Sequence, residues 1–347
     1  MMDRRLRRIA RPLTRLVRAG TDRWDAVRVR RQADRILRGR GDWEIGPIRR
    51  ARSGTRIARM RSASDGRQAF LKIINAPDGA SGLERERVAL SGLAGESRLE
   101  ELRPLLPEVL DAGSDGRWSY LVQRALPGEP ATRCLTSQLH QVLSEASAIA
   151  ARLHGVTAVP RVVATAELEE WIERPLAAVR GLVGQRPGSW EARSLDRLAS
   201  ELGVAVGGAT VPLGWIHGDL WSDNILVNLD DGRITGIVDW DSASDAGLAT
   251  HDQLHLVLYG RKVLAGTEIG TEICRALGPE SNWDATELLA LSAATAALPG
   301  ADQASQRRLG VVLYWLRLVV MNVARQPRTT RGSRWLEDNV RAVLECL

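Results

Sequence analysis

Apolar and polar residues alternate through the first third of the chain and then change to a spacing of three to four. Strand-like runs fill about residues 43 to 125, among them QAFLKII, and SYLVQRALPGEPA reads as a strand entering a Pro-Gly turn. Between these two, GLERERVALSGLAG sets Leu83, Val88, Leu90 and Leu93 among charges and stops at Gly95, which predicts a helix. From about residue 136 the pattern is mostly helical. LHQVLSEASAIAARLHGV spaces Leu139, Val142, Ala146, Ile149, Ala150 and Leu153 along one face, with His154 in its last turn as a cap or dipole partner. Three more apolar-rich helices are predicted in THDQLHLVLYGRKVL, ELLALSAATAAL and RRLGVVLYWLRLVVMNVARQ, and QRPGSW and RQPRTTRGSR read as loops. Two short apolar runs interrupt the helices, Ile225 to Val227 and Ile234 to Val238, and the turn signal Asp230-Asp231-Gly232 joins them as a hairpin. Strands first and helices after describe an α+β chain with a small β-rich lobe over 41–127 and a larger, mostly helical lobe over 128–347. A chain of 347 residues with 44% hydrophobic content has enough apolar surface for both cores.

Charge adds a third segment. Residues 1–40 hold 14 Arg and 4 Asp, so the net charge of +6 comes from this arm and the rest of the chain is slightly acidic. RRLRRIARPLTRLVRAG could form short amphipathic helices, and its charge suits an anionic membrane surface or an acidic partner. The competing reading is a solvated basic helix on the small lobe or a disordered leader. No specific nucleic acid is expected. No secretory pattern follows the arginines, and LGVVLYWLRLVVM is too short to span a bilayer and is broken by Arg317. Cys134, Cys274 and Cys346 are odd in number and far apart, matching neither a disulfide framework nor a metal site. That favours the cytoplasm, with peripheral membrane association as the arm's addition.

The densest chemistry lies in IHGDLWSDNILVNLDDGRITGIVDW, residues 216–240. The predicted hairpin carries its two runs past each other, so Asp219, Asn224 and Asp239 converge at one end. A carboxylate and an amide oxygen, Asp239 and Asn224, suit Mg²⁺, a hard cation that takes one or two carboxylates and completes its shell with phosphate and water. Asp219 is then left to face an acceptor hydroxyl, where it takes or orients a proton.

HGDLWSDN followed by GIVDWD resembles the catalytic and metal loops of the aminoglycoside phosphotransferase and choline kinase families, which share the protein-kinase-like fold. Protein kinases carry His-Arg-Asp and Asp-Phe-Gly at these places. Gly218 and Trp240 here follow the small-molecule style, and only two residues separate Asp241 from Ser244, too few for an activation loop. The resemblance implies a bilobal fold and an ATP- and Mg²⁺-dependent transfer of the γ-phosphate to a small-molecule hydroxyl. It also implies that Lys72 in QAFLKII reaches the α and β phosphates, in a chain whose other lysine is Lys262 alone. Glu86, in preference to Glu84, is implied as the partner of Lys72. By position alone, ARSGTRIARM becomes the phosphate-covering hairpin, with Ser53, Gly54 and Thr55 at its turn. Similar kinases bond the adenine edge through the main chain of Gln123 to Ala125.

The region after Asp241 would supply the acceptor pocket. Aminoglycosides are polycations, yet residues 242–347 hold eleven acidic and eleven basic side chains, so no acidic excess marks an antibiotic site. An antibiotic, a sugar or an amino alcohol each fits as acceptor. His217 is expected to pack beneath the catalytic loop, and Asp252 to brace that loop or cap a helix. Asp223 and Asp241 either bond metal-bound water or cap turns. His251 and His255 share a helix face at i, i+4, but without a third ligand they predict no zinc site. The function from another class is a non-catalytic kinase-like module recruited by its arm to a membrane or polyanion. The presence of Lys72, Glu86, Asp219, Asn224 and Asp239 together favours the enzyme.

Overall fold

The structure, a computed structural model, describes residues 27–51, 54–75, 77–184, 188–325 and 333–347. The chain forms two compact units. One runs to Arg87 and takes in Glu108–Ala125; the other comprises Val88–Pro107 and Leu126–Leu347. The expected arm falls largely in residues 1–26, outside the described residues.

The first unit is a five-stranded antiparallel sheet. In chain order its elements are helix α1 (27–37), strands β1 (Trp43–Arg50), β2 (Arg56–Ser62) and β3 (Gln68–Ile74), the part of helix α2 (Pro77–Gly95) up to Arg87, β4 (Val109–Asp115) and β5 (Trp118–Arg124). The strands lie in the order β1-β2-β3-β5-β4. Alternation sorts the side chains of β3 to two faces. Ala69, Leu71 and Ile73 turn to the same core as Val29, Ala33, Ile36 and Leu37 of α1. Val29, Ala33, Ile36 and Leu37 recur at helical spacing, so α1 buries one stripe and leaves its arginines outside. Each of its large aliphatic side chains contributes roughly 1.5–3 kcal/mol by leaving water. Residues 27–37 are therefore part of the folded unit. On the opposite face Ile74 of β3 and Leu121 of β5 pack with Leu83 of α2, and this parity carries Lys72 and Gln123 to the α2 side. A slip of one residue would turn Lys72 into the α1 core.

The second unit is mostly helical. It holds β6 (Glu129–Pro130), α3 (Leu135–Thr157), β7 (Val159–Val162), α4 (Thr165–Leu168), α5 (Arg174–Val183), α6 (Trp190–Val206) and β8 (Thr210–Ile216). The hairpin β9 (Ile225–Val227) and β10 (Ile234–Ile237) follows, then β11 (Ser244–Gly247), α7 (Ala249–Ala265), α8 (Ile269–Leu277), α9 (Ala285–Ala296) and α10 (Gln303–Arg325). Two small sheets, β10-β9-β6 and β11-β8-β7, frame the segment between β8 and β11. α10 runs through the core: residues 311–316 are all buried. No helix among the described residues is long and apolar enough to cross a membrane.

One sequence expectation is overturned. Cys274 in α8 is disulfide-bonded to Cys346, with Cα atoms 5.7 Å apart, and Cys134 is a buried thiol that donates to the Ala131 carbonyl. The partners are 72 residues apart in sequence, and only the packing of α8 beside the final helix, Ala342–Cys346, brings them together, which spacing cannot show. The cysteines therefore do not speak for a reducing compartment.

Candidate active site

The turn between β8 and β9 is held from behind by two helices. The Asp252 carboxylate, in the first turn of α7, accepts the backbone N–H of His217 at 2.6 Å and of Gly218 at 2.7 Å. From α10, Arg317 donates to the carbonyls of Gly218 at 2.7 Å and Ser242 at 3.2 Å. Gly218 has φ +79°, and a Cβ there would stand 2.1 Å from the Ser242 oxygen, so only glycine fits. His217 accepts the Asp219 N–H on Nδ1 at 3.2 Å and donates from Nε2 to the Val238 carbonyl at 2.9 Å. Its ring lies 4.5 Å from that of Trp240. Both ring nitrogens serve the backbone, as expected of a structural histidine.

Asp219 is partly buried between two basic side chains. Its Oδ1 lies 3.0 Å from His255 Nε2, and its Oδ2 accepts from Arg325 Nη1 at 2.8 Å. His255 stands three residues after Asp252 on α7, so one helix face supplies both the loop brace and the neighbour of Asp219. Behind it, His255 Nδ1 meets the Tyr314 hydroxyl at 3.1 Å, and its ring stacks on Tyr259 at 4.2 Å. Burial pushes the Asp219 carboxyl up, but His255 and Arg325 outweigh this and hold it well below the usual carboxylate range. It is an anion at neutral pH. Burial and the nearby Asp219 charge push the Tyr259 hydroxyl up to about 12.

The hairpin registers Ile225 against Ile237, and the Val238 N–H bonds the Asn224 carbonyl at 2.9 Å, which sets Asn224 beside the residue before Asp239. Asn224 Nδ2 donates to the Asp219 carbonyl at 2.9 Å, leaving its amide oxygen as the atom that can take a cation. Asp219, Asn224 and Asp239 thus gather at one end of the hairpin. Asp239 is left-handed, φ 64° and ψ 60°, and is the one non-glycine residue with positive φ among those described. Such a conformation costs on the order of 1 kcal/mol and is a mark of functional turns. An amide oxygen and a carboxylate fit a hard divalent ion that keeps phosphate and water ligands. Among the described residues no group of three or more His, Cys, Asp or Glu forms a metal cage. Asp223 accepts from Thr132 at 2.6 Å, and Asp241 accepts from Arg325 at 3.0 Å.

In the first unit, Lys72 Nζ donates to both oxygens of Glu86, at 2.7 and 2.9 Å. Glu84 pairs with Arg87, on the outside of the helix. The Gln123 side chain, from the neighbouring strand, donates to Glu86 at 3.0 Å, a contact beyond the main-chain role expected of it. Ser53 lies outside the described residues. Gly54, at φ +90°, bonds the Ala51 carbonyl at 3.1 Å through its own N–H, and the Thr55 carbonyl accepts from Ala51 at 2.8 Å. The Ala125 N–H donates to Gln68 at 3.0 Å. The Gly54 and Ala125 amides are thus engaged inside the unit by turn closure and strand-edge pairing.

Sequence reasoning missed three side chains. Arg317 was visible only as the residue that breaks an apolar run, His255 only as half of an i, i+4 pair, and Arg325 only as the start of a loop. A cation inside a buried helix and a histidine one turn after Asp252 were the available signals.

With this geometry in hand, the relatives are informative. The model of the phosphotransferase enzyme family matches residues 47–307. A thermostable mutant of an aminoglycoside phosphotransferase, in ternary complex with AMP-PNP and hygromycin B, is 16% identical over 87% of this chain and 95% of its own, with a TM-score of 0.56. A type VIII aminoglycoside-3'-phosphotransferase is 25% identical over 83% of this chain and 98% of its own, TM-score 0.48. The Streptomyces rimosus aminoglycoside phosphotransferase bound to ADP and streptomycin is 18% identical over 83% and 98%, TM-score 0.49. No curated protein matches the chain. The first of these structures shares the α+β kinase-like fold, a small β-rich unit and a larger helical one. The match over three quarters of its length, together with that fold, places the chain in the phosphotransferase enzyme family.

Proposed function

We propose that the chain is an ATP- and Mg²⁺-dependent phosphotransferase that moves the γ-phosphate to a hydroxyl of a small molecule. The observation that carries this reading is the gathering of Asp219, Asn224 and Asp239 at one hairpin end, on a loop pinned by Asp252 and Arg317. Lys72, oriented by Glu86 and Gln123, holds the α and β phosphates. Gly54 and Thr55, with Ser53, cover the phosphates. Gln123 and Ala125 line the base, and the Ala125 amide exchanges Gln68 for it. Asn224 and Asp239 hold Mg²⁺, which when bound neutralises phosphate charge. Asp219 receives and orients the acceptor hydroxyl.

A carboxylate held so low is a weak base, and that suits the reaction. Phosphoryl transfer passes through a loose transition state, in which the nucleophile needs alignment more than early deprotonation. His217, Asp252 and Arg317 keep that alignment by fixing both ends of the Gly218 peptide unit. An aminoglycoside phosphotransferase of similar fold has been seen in ternary complex with AMP-PNP and hygromycin B, which supports a nucleotide and a small-molecule acceptor here.

Release of ADP over a panel of antibiotics, sugars and amino alcohols tests the reading. Turnover that falls by roughly a hundredfold or more in Asp219→Ala supports it. The absence of any Mg²⁺-dependent nucleotide effect favours a non-catalytic module. An arm that docks on anionic lipid is part of the same proposal. Liposome sedimentation of the chain with and without residues 1–26 tests the arm and spares the core helix α1.

A further inference from the structure

Cations and aromatic rings surround Asp219. Arg325 ends α10 with its guanidinium on Asp219 at 2.8 Å, on Asp241 at 3.0 Å and on the Ser242 hydroxyl. Its side chain is 38% exposed, so the guanidinium can turn without unpacking the helix. Along α7, beyond His255, Tyr259 stacks on the histidine ring, Trp221 meets Tyr259 at 5.7 Å, and Lys262 stands over Tyr259 at 5.1 Å. Lys262 is one of only two lysines in the chain.

A hydroxyl that bonds Asp219 must therefore share the carboxylate with a guanidinium, next to rings that carry an ammonium. For a polycation both groups are like charges in a partly buried place, where repulsion is screened less than in water. For an acceptor bearing an anion the same groups become partners. Arg325 can exchange Asp219 and Asp241 for a carboxylate or phosphate and keep two charge-assisted hydrogen bonds, and this exchange frees Asp219 for the hydroxyl. Half-buried Trp221 and Tyr259 offer ring faces to the carbon skeleton.

We propose that Arg325, helped by Lys262, selects an anionic acceptor: a hydroxylated small molecule with a carboxylate or phosphate group near the hydroxyl that is phosphorylated. This rests on the reading of Asp219 as the carboxylate that faces the acceptor.

The full chain is assayed with MgATP and acceptors of three charge classes, gluconate and glucose 6-phosphate, glucose, and kanamycin, by ADP release and thermal shift. The anionic pair is expected to exceed glucose in kcat/KM by roughly tenfold or more, with kanamycin last. Arg325→Ala raises KM for the anionic pair roughly ten- to a hundredfold and alters glucose less, Arg325→Lys recovers part, and Arg325→Glu inverts the order. The two anionic probes distinguish carboxylate from phosphate. Preference for kanamycin, no saturable effect of either anion, or anion binding indifferent to Arg325→Ala overturns the inference. So does an equal fall of kcat for every class and for water, which marks Arg325 as acting on the transferred phosphoryl group. Failure of the kinase reading looks different: the MgATP shift itself is then missing or indifferent to Asp239→Ala.

Discussion

Asp252 accepts the Gly218 N–H at 2.7 Å, while Arg317, from another helix, takes the carbonyl of the same residue at the same distance. The loop before Asp219 is thus clamped at both ends of one residue. Asp252→Ala leaves the N–H groups of His217 and Gly218 without their acceptor in a buried place, at about 1–3 kcal/mol each. Urea unfolding of the full chain should show a loss of roughly 2–5 kcal/mol, and Asp252→Asn, which keeps one acceptor oxygen, a smaller one.

Gly218→Ala is expected to be worse than its size suggests. The methyl would meet the Ser242 carbonyl at 2.1 Å at φ +79°, so either the Trp240–Ser242 turn or the Asp219 turn must shift. Misplacing a positioned group by about 1 Å costs on the order of a hundredfold in rate. Expected is a folded chain by circular dichroism with turnover reduced by about that factor.

The Lys72–Glu86 pair is buried, so removal of one partner takes from the other its bidentate, oppositely charged neighbour. Glu86→Ala or Lys72→Met alone should cost about 3–5 kcal/mol, and the double variant less than their sum. A double-mutant cycle in chemical denaturation measures the coupling, and Gln123→Leu should weaken it.

Acid should destabilise the second unit through its buried histidines. His251 is buried, with no hydrogen-bond partner on either ring nitrogen among the described residues, and burial followed by the Arg317 charge holds its pKa well below the ordinary value. His154, which meets the Gly247 carbonyl at 3.2 Å, is lowered too, chiefly by burial. Above about pH 6.5 both are neutral folded and unfolded, and neither contributes. Below it the unfolded chain takes protons that the folded chain refuses, so stability falls by up to about 1.4 kcal/mol per pH unit for each fully buried histidine. His251→Leu should equal wild type at pH 7 and lose less stability by pH 5.

Much of this was legible in the sequence because it depends on local periods. The strand run QAFLKII and the turn at Asp230-Asp231-Gly232 are such local patterns, whereas the pairing of Lys72 with Glu86 in preference to Glu84 was implied by the family resemblance and is what the ion pairs show. What stayed hidden depends on packing between distant segments. Arg325 reaches Asp219 across 106 residues and Cys274 meets Cys346 across 72, and no period encodes either. The burial of α1 was hidden for another reason: its apolar stripe lies inside a run so rich in arginine that charge dominated the pattern.

Calorimetric titration of the full chain with ATP, with and without Mg²⁺, tests the central claim most directly. Saturable binding that requires Mg²⁺, is abolished in Asp239→Ala and weakens about tenfold or more in Lys72→Ala is the result expected if the hairpin end carries the metal and the strand lysine the phosphates. ATP binding that is the same without Mg²⁺ and unchanged in Asp239→Ala, or no binding at all, would contradict it.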